Sequence, residues 1–529
     1  MPDAPRRARR AWSGGRDPVL TTDQALGAWP PIIQGGMGIG VSGWRLARAV
    51  ALTGQLGVVS GVALDTLLAR RLQLGDPGGH IRHALASFPN AEVSQRVLDS
   101  YFVEGGLAPE EPFRLVPRLS LNPSQRGTEL AVVANFVEVF LAKEGHEGLV
   151  GVNYLEKIQM ATPAATYGAM LAGVDYVLVG AGIPAEIPGL LDSLAVGRPG
   201  EVAVDVLDAG GRRFAVEVDP EQVAGNKLEL RRPRFLAIVA SHVLASYLAR
   251  DARTRPEGFV VEGPVAGGHN APPRGVLTLD EDGQPVYGPR DVVDLERLGE
   301  LGLPYWLAGA YAGPGLLARA RELGATGIQV GSAFALCEES GLDASLKRAL
   351  TESALAGTLH VRTDSVASPT GFPFKVADLP GTVAEAEVYE RRRRICEAGY
   401  LRVPYLSQDG ELGYRCPAEP ASAYVRKGGK MEDTTGRRCL CNGLIAAIGL
   451  GQRHRVGAVE PPVTTIGQDL SFLPELVGSE RSSYKAADVV AYLLGVPSAR
   501  SHDSSGAQAT GGAAGRASDA GLPSRGVTT

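Results

Sequence analysis

Eight short apolar stretches, beginning near positions 32, 56, 150, 176, 235, 259, 305 and 328, constrain this chain more than any other feature. Several run directly into a glycine-rich turn, and most are followed by a segment with apolar residues at helical spacing. Strand, loop, helix and strand in that order require parallel pairing with right-handed crossovers. Eight such units make a (β/α)8 TIM barrel, whose chemistry lies among the loops that follow the strands. The first unit reads PPIIQGGMGIG and then VSGWRLARAVALTGQ, with Trp44, Ala47, Ala51 and Leu52 on one helical face.

Two additions interrupt the rhythm. A helical insertion from about 76 to 148 follows the second unit. It contains a helix over Ala91 to Phe102 and a longer one that the sequence opens with Asn122 as cap and Pro123 in the first turn. Leu130, Val133, Ala134, Val137, Phe140 and Leu141 give that helix an apolar stripe, which has to pack on something. EVAVDVLDAGGRRFAVEV reads as a hairpin turning around Asp208 to Gly211. The barrel then spans residues 29–345, a mixed helical and irregular C-terminal region 346–496, and a Ser-, Gly- and Ala-rich tail 497–529 is expected to be disordered.

The stretch Gly258 to Gly275, GFVVEGPVAGGHNAPPRG, carries the chemistry. Gly267 and Gly268 leave His269 unshielded at the C-terminal end of a barrel strand. An imidazole there is suited to acid/base work, against the plainer reading of a loop histidine bonded to nearby backbone. The loops after the seventh and eighth strands, AGAYAGPG and QVGSAF, occupy the place where barrels bind phosphate. Gly309, Gly313 and Gly331 allow close backbone approach there, and Ser332 adds a hydroxyl. In the first loop, Gly36 exposes backbone, and Met37 suits either a flat ring or the core. Asn153, ending the third strand, suits either a ligand heteroatom or a turn.

These motifs together resemble the nitronate monooxygenase (2-nitropropane dioxygenase) family of FMN-dependent barrels, which also includes flavin-dependent enoyl reductases. GPVAGGHNAPPRG is similar to the family's AGGH loop, IIQGGMG to its first-strand loop, and LAGAYAGP and GIQVGSAFALCEESG to its seventh- and eighth-strand motifs. The resemblance covers about Pro30 to Gly341. It implies FMN as cofactor, with Gly36 and Met37 cradling the isoalloxazine, Asn153 on the ring, and Gly309, Gly331 and Ser332 at the phosphate. Gly267 and Gly268 would also bind the cofactor, with His269 as the acid/base beside the flavin. The chain departs from the pattern at Val265, where many members have Glu, and at Ala271, where they have Gly. The activity expected first is oxidation of alkyl nitronates with O2, and the alternative is NAD(P)H-dependent reduction of an enoyl thioester in fatty-acid or polyketide biosynthesis. A flavin-free barrel binding a phosphorylated metabolite is the reading from another class.

The remaining features set boundaries. A net charge of −5 gives no general attraction for nucleic acid, and the five arginines of the first sixteen residues read as part of a flexible basic tail, 1–28. No apolar run reaches membrane length and no secretory h-region opens the chain, so the cytoplasm is the default location. Cys396, Cys416, Cys439 and Cys441 lack the CxxC pairs of zinc ribbons, so buried free thiols are expected rather than a metal. A homodimer or a place in a biosynthetic complex is compatible with all of this.

Overall fold

The computed structural model describes residues 27–454, 457–478 and 482–496. The bulk of the expected basic tail and all of the C-terminal tail lie outside the described residues. The eight expected strands are present as β1 (Ile32–Gln34), β2 (Gly57–Ser60), β3 (Val150–Leu155), β4 (Tyr176–Gly180), β5 (Arg234–Val239), β6 (Gly258–Glu262), β7 (Tyr305–Ala308) and β8 (Gly327–Val330). Neighbours from β2 to β8 pair in parallel, and β8 returns to β1 with Ile32 opposite Ile328. The ring closes where the Gln34 amide donates to Leu56 O at 3.0 Å and the Leu56 amide to Ile32 O at 3.1 Å. The fold is an α/β TIM barrel.

Alternation along the strands explains the closure. Ile33, Val58, Tyr176, Leu178, Leu236, Val260 and Trp306 fill the barrel interior, while Val59, Val152, Val177, Phe235, Phe259 and Ile328 belong to the core shared with the helices. Both faces are buried, which is why the strands read as nearly continuous apolar runs. Trp29 plugs the bottom, its ring 5.6 Å from Trp306 and beneath the Arg234 guanidinium, 3.9 Å from the ring centroid.

The long helix after β2 spans Gln125–Lys143, and its cap is Ser124 rather than the expected Asn122. The Ser124 hydroxyl accepts from the Gly127 amide at 3.2 Å, and Asn122 and Pro123 lie outside the helix, the residue before a proline being disfavoured in the helical region. The expected apolar stripe is real, but Val132, Phe136, Val139 and Ala142 are buried too, so the helix is enclosed on nearly every side. It packs on the helix Thr162–Leu171, where a side chain at Gly168 would lie 2.0 Å from Val132 O; only glycine permits that approach. Glu138 accepts from the Trp44 amide at 2.9 Å and pairs with Arg71, so this helix also holds the start of the helix Trp44–Ala51.

The expected hairpin pairs Gly200–Ala203 with Ala215–Val218. A second hairpin was not anticipated. The stretch 361–376, whose two X-Pro bonds, glycine and aromatics suggest an ordered loop over the barrel mouth, instead has antiparallel flanks, β9 (Val361–Asp364) and β10 (Phe374–Ala377), because β-branched and aromatic residues bracket the proline-rich turn. Downstream, the helix Ala486–Leu494 packs against both the helix after β1 and the helix Leu316–Glu322 after β7. It therefore occupies the place of the eighth barrel helix, and the chain between β8 and this helix folds over the barrel mouth.

Candidate active site

All nine residues expected at the site (Gly36, Met37, Asn153, Gly267, Gly268, His269, Gly309, Gly331 and Ser332) line one cavity of about 270 Å³ at the C-terminal ends of the strands. The loops that carry them lie up to about 300 positions apart in the sequence and meet only because the barrel closes.

The loop after β1 is shaped by one hydroxyl. Ser42 Oγ accepts from the Met37 amide at 2.9 Å and from Gln34 Nε2 at 2.9 Å, and donates to Gly35 O at 3.0 Å. Gly36 is thereby pressed against β3, where a side chain would lie 2.4 Å from the Asn153 Cβ. Asn153 Nδ2 donates to Gly36 O at 3.0 Å, which leaves the buried Asn153 Oδ1 without a partner. The buried Gln329 Oε1, on β8, is also unpartnered and lines the same cavity. Buried acceptors left open are costly unless a donor arrives.

The backbone after β7 is also pre-shaped. Gly309 (φ +90) is followed by Ala310 (φ +59), a non-glycine residue in the left-handed region; Ala181, after β4, is another at φ +60, and both alanines border the cavity. Such strain is held where the surroundings over-determine the backbone. Ser332 Oγ accepts from the Gly467 amide at 3.0 Å, and Gly268 donates its amide to Thr465 Oγ1 at 2.9 Å. The segment Thr464–Gln468 therefore crosses the cavity as a roof, tied to the AGGH loop again by Gln468 N to Val265 O at 3.1 Å. The sequence carries no signal for it, because VTTIGQ has no motif and lies far from the barrel strands.

An FMN fits this constellation. The two open amide oxygens would accept from N–H or O–H groups of the ring or ribityl chain. The cradle of Gly309, Gly331 and Ser332 would hold the phosphate through backbone amides and one hydroxyl.

His269 sits against the hairpin. The Asn270 amide donates to Pro373 O at 2.9 Å and the Lys375 amide to Gly268 O at 2.8 Å, so the AGGH loop runs as an extra strand beside β10. The imidazole lies edge-on to Phe374, centroids 4.9 Å apart, and its Nε2 is 2.7 Å from Ser368 Oγ. Burial, and secondarily the Lys157 ammonium, push its pKa down to about 3, so the ring is neutral at physiological pH. Of the two aromatics in the hairpin, Phe374 lines the cavity, whereas Phe372 lies beneath Lys157, whose Nζ is 3.0 Å from the ring centroid. Burial pulls Lys157 down to about 8. Glu262, ending β6, was not singled out from the sequence. Its carboxyl borders the cavity with no side-chain hydrogen bond among the described residues, and burial raises it to about 7.

Cys396, Cys416, Cys439 and Cys441 are free thiols, of which Cys441 borders the cavity, and burial pushes Cys439 up to about 12. Among the described residues, no group of three or more His, Cys, Asp or Glu is arranged to hold a metal. No helix among them is long and apolar enough to cross a membrane.

Residues 227–368 match the family model described as nitronate monooxygenase. That span contains β5 to β8, the His269 loop, both glycine loops and Ser368. No curated protein sequence matches the chain. Solved structures that resemble it include FabK from Thermotoga maritima, at 16% identity over 66% of this chain and 72% of that one, with a TM-score of 0.36. A nitroalkane oxidase from Streptomyces ansochromogenes has 16% identity over 88% and 94%, with a TM-score of 0.41. The enoyl reductase domain of MlnA from Bacillus amyloliquefaciens has 12% identity over 88% and 93%, with a TM-score of 0.42.

Proposed function

Taking as premise a flavin-dependent oxidoreductase whose barrel resembles the nitronate monooxygenase family, we propose that it reduces an activated alkene, an enoyl thioester, with NAD(P)H as hydride source and FMN as carrier. The observation that carries this reading is the enclosure of His269 at an apolar-walled cavity, edge-on to Phe374 and with Nε2 2.7 Å from Ser368 Oγ, a burial that holds the ring neutral. A ring that gains a second proton only near pH 3 is a feeble base toward a carbon acid, which counts against removing the α-proton of a nitroalkane. The same ring is a good neutral N–H donor.

Bound FMN would supply hydride transfer to the β-carbon. The chain's own groups do the rest. Asn153 Oδ1 and Gln329 Oε1 would fix the cofactor, and the amides of the loops after β7 and β8 its phosphate. His269 would direct its ring toward the thioester and supply the proton for the α-carbon. Leu401, Leu440, Leu444 and Val463, from the C-terminal region, line the cavity with apolar surface suited to an acyl chain. The roof and the hairpin exclude water from the reacting atoms.

A second reading keeps a specific support. A nitronate arrives already deprotonated and needs no base, and the Lys157 ammonium near His269 would attract its charge. Anaerobic NAD(P)H consumption with a 2-enoyl thioester, compared with oxygen uptake on an alkyl nitronate, separates the two. Turnover of the thioester is expected; oxygen uptake with nitronate and none of the thioester reaction would sink the reductase reading.

A further inference from the structure

The contact between His269 Nε2 and Ser368 Oγ continues outward. Ser368 Oγ lies 2.8 Å from Thr370 Oγ1 and accepts from the Thr370 amide at 3.2 Å, and Thr370 Oγ1 accepts from the Phe372 amide at 3.4 Å. Ser368 is fully buried and Thr370 half-exposed. The imidazole borders the cavity, and its Nδ1 makes no hydrogen bond among the described residues. The chain thus runs from the cavity through one ring and two hydroxyls toward the surface.

Its hydrogens have two complete arrangements. In one, Nε2 donates to Ser368 Oγ, whose own hydrogen goes to Thr370 Oγ1. In the other, Ser368 Oγ donates to Nε2 and accepts from Thr370 Oγ1, and Nδ1 carries the ring proton. Each hydroxyl can serve as donor or acceptor, so passing between the two requires only short proton hops.

We propose that Ser368 and Thr370 form a hydroxyl relay that lets His269 deliver a proton to the cavity as a neutral ring, exchanging one tautomer for the other. This rests on the enoyl-reduction reading. Once hydride has bonded to the β-carbon, the electron pair of the former double bond resides at the α-carbon as an enolate. As the α-carbon gains its C–H bond, the Nδ1–H bond breaks. Nε2 takes the Ser368 hydroxyl proton, Ser368 Oγ takes the proton of Thr370, and Thr370 takes one from water. The two electrons come from NAD(P)H and the proton from solvent, which balances the saturated product. After product leaves, water entering the cavity returns a proton to Nδ1 and the chain runs back. The ring never has to hold two protons, which its surroundings oppose.

The relay is tested by steady-state turnover of wild type, Ser368→Ala, Ser368→Thr and Thr370→Val in mixtures of H2O and D2O. Wild type is expected to give a bowed proton inventory. Ser368→Ala should lose about 10²-fold in kcat and give a linear inventory, with flavin content and KM retained. Thr370→Val should change in the same direction, and Ser368→Thr, which keeps a hydroxyl, should recover most of the rate. A Ser368→Ala enzyme at wild-type rate, or one slowed with its bowed inventory intact, would overturn the relay. If Ser368→Ala loses its flavin, Thr370→Val decides by the same criterion. A wild-type enzyme that does not reduce the thioester at all is a different outcome: the reductase reading fails, and the relay falls with it.

Discussion

His269 Nε2 and Ser368 Oγ lie 2.7 Å apart, joining the loop after β6 to the turn of a hairpin 99 residues later in the chain. The contact fixes one ring nitrogen and leaves the other for the cavity. His269→Ala should therefore retain flavin while losing about 10²- to 10⁴-fold in turnover. Flavin absorbance per chain and kcat, measured on the same preparation, check both halves of that statement.

Asn153 and Gln329 each hold an open buried oxygen over the cavity. On the proposed FMN binding, removing either acceptor would leave a cofactor donor unpaired, a loss of about 1–3 kcal/mol or about ten- to hundred-fold in FMN affinity. Asn153→Ala should show the larger effect, because Nδ2 also anchors Gly36. FMN titration of the apoprotein, followed by fluorescence quenching, measures it; unchanged affinity in both variants would remove them from the cofactor site.

Two cavity groups have opposite pH signatures. His269 binds its second proton only near pH 3 in the fold, so between there and the unfolded value near 6.5 the unfolded chain holds more protons, and stability falls as pH drops through that window. Glu262 keeps its proton up to about 7 in the fold but loses it near 4.5 when unfolded, so its penalty grows as pH rises from about 4.5 to 7. The Tm of His269→Gln relative to wild type should thus rise on going from pH 7 to 5. That of Glu262→Gln should rise from pH 5 to 8. Parallel Tm shifts at all pH values would contradict both assignments.

Phe374 and Phe372 should separate in their effects. Phe374 is buried and edge-on to His269, so Phe374→Ala opens a cavity and should cost about 3–5 kcal/mol along with activity. Phe372 is half-buried under Lys157. Phe372→Leu should cost less stability and act mainly through the ammonium's position, which denaturant unfolding and KM for the thioester distinguish.

The barrel was legible because its strands are buried on both faces and its glycine loops recur after them. The nine site residues share a cavity for the same reason: each sits where a strand ends, and strand ends converge in a closed barrel. Gln329 lay inside a motif already noted, but nothing local reveals that an amide oxygen will be left without a donor. Ser368 and the Thr464–Gln468 roof belong to segments whose place depends on long-range packing over the mouth. Asn122 was misread as a cap because Pro123 suits a first helical turn, whereas the chain begins its helix two residues later.

Flavin content and its dependence on the cavity test the central claim most directly. The purified protein, or its apoprotein reconstituted with FMN, should bind one FMN per chain with flavin absorbance bands, and Gly36→Val, which drives a side chain into Asn153, should abolish that binding. A wild-type protein that neither carries FMN nor takes it up, or a Gly36→Val variant that binds FMN as tightly as wild type, would contradict the account.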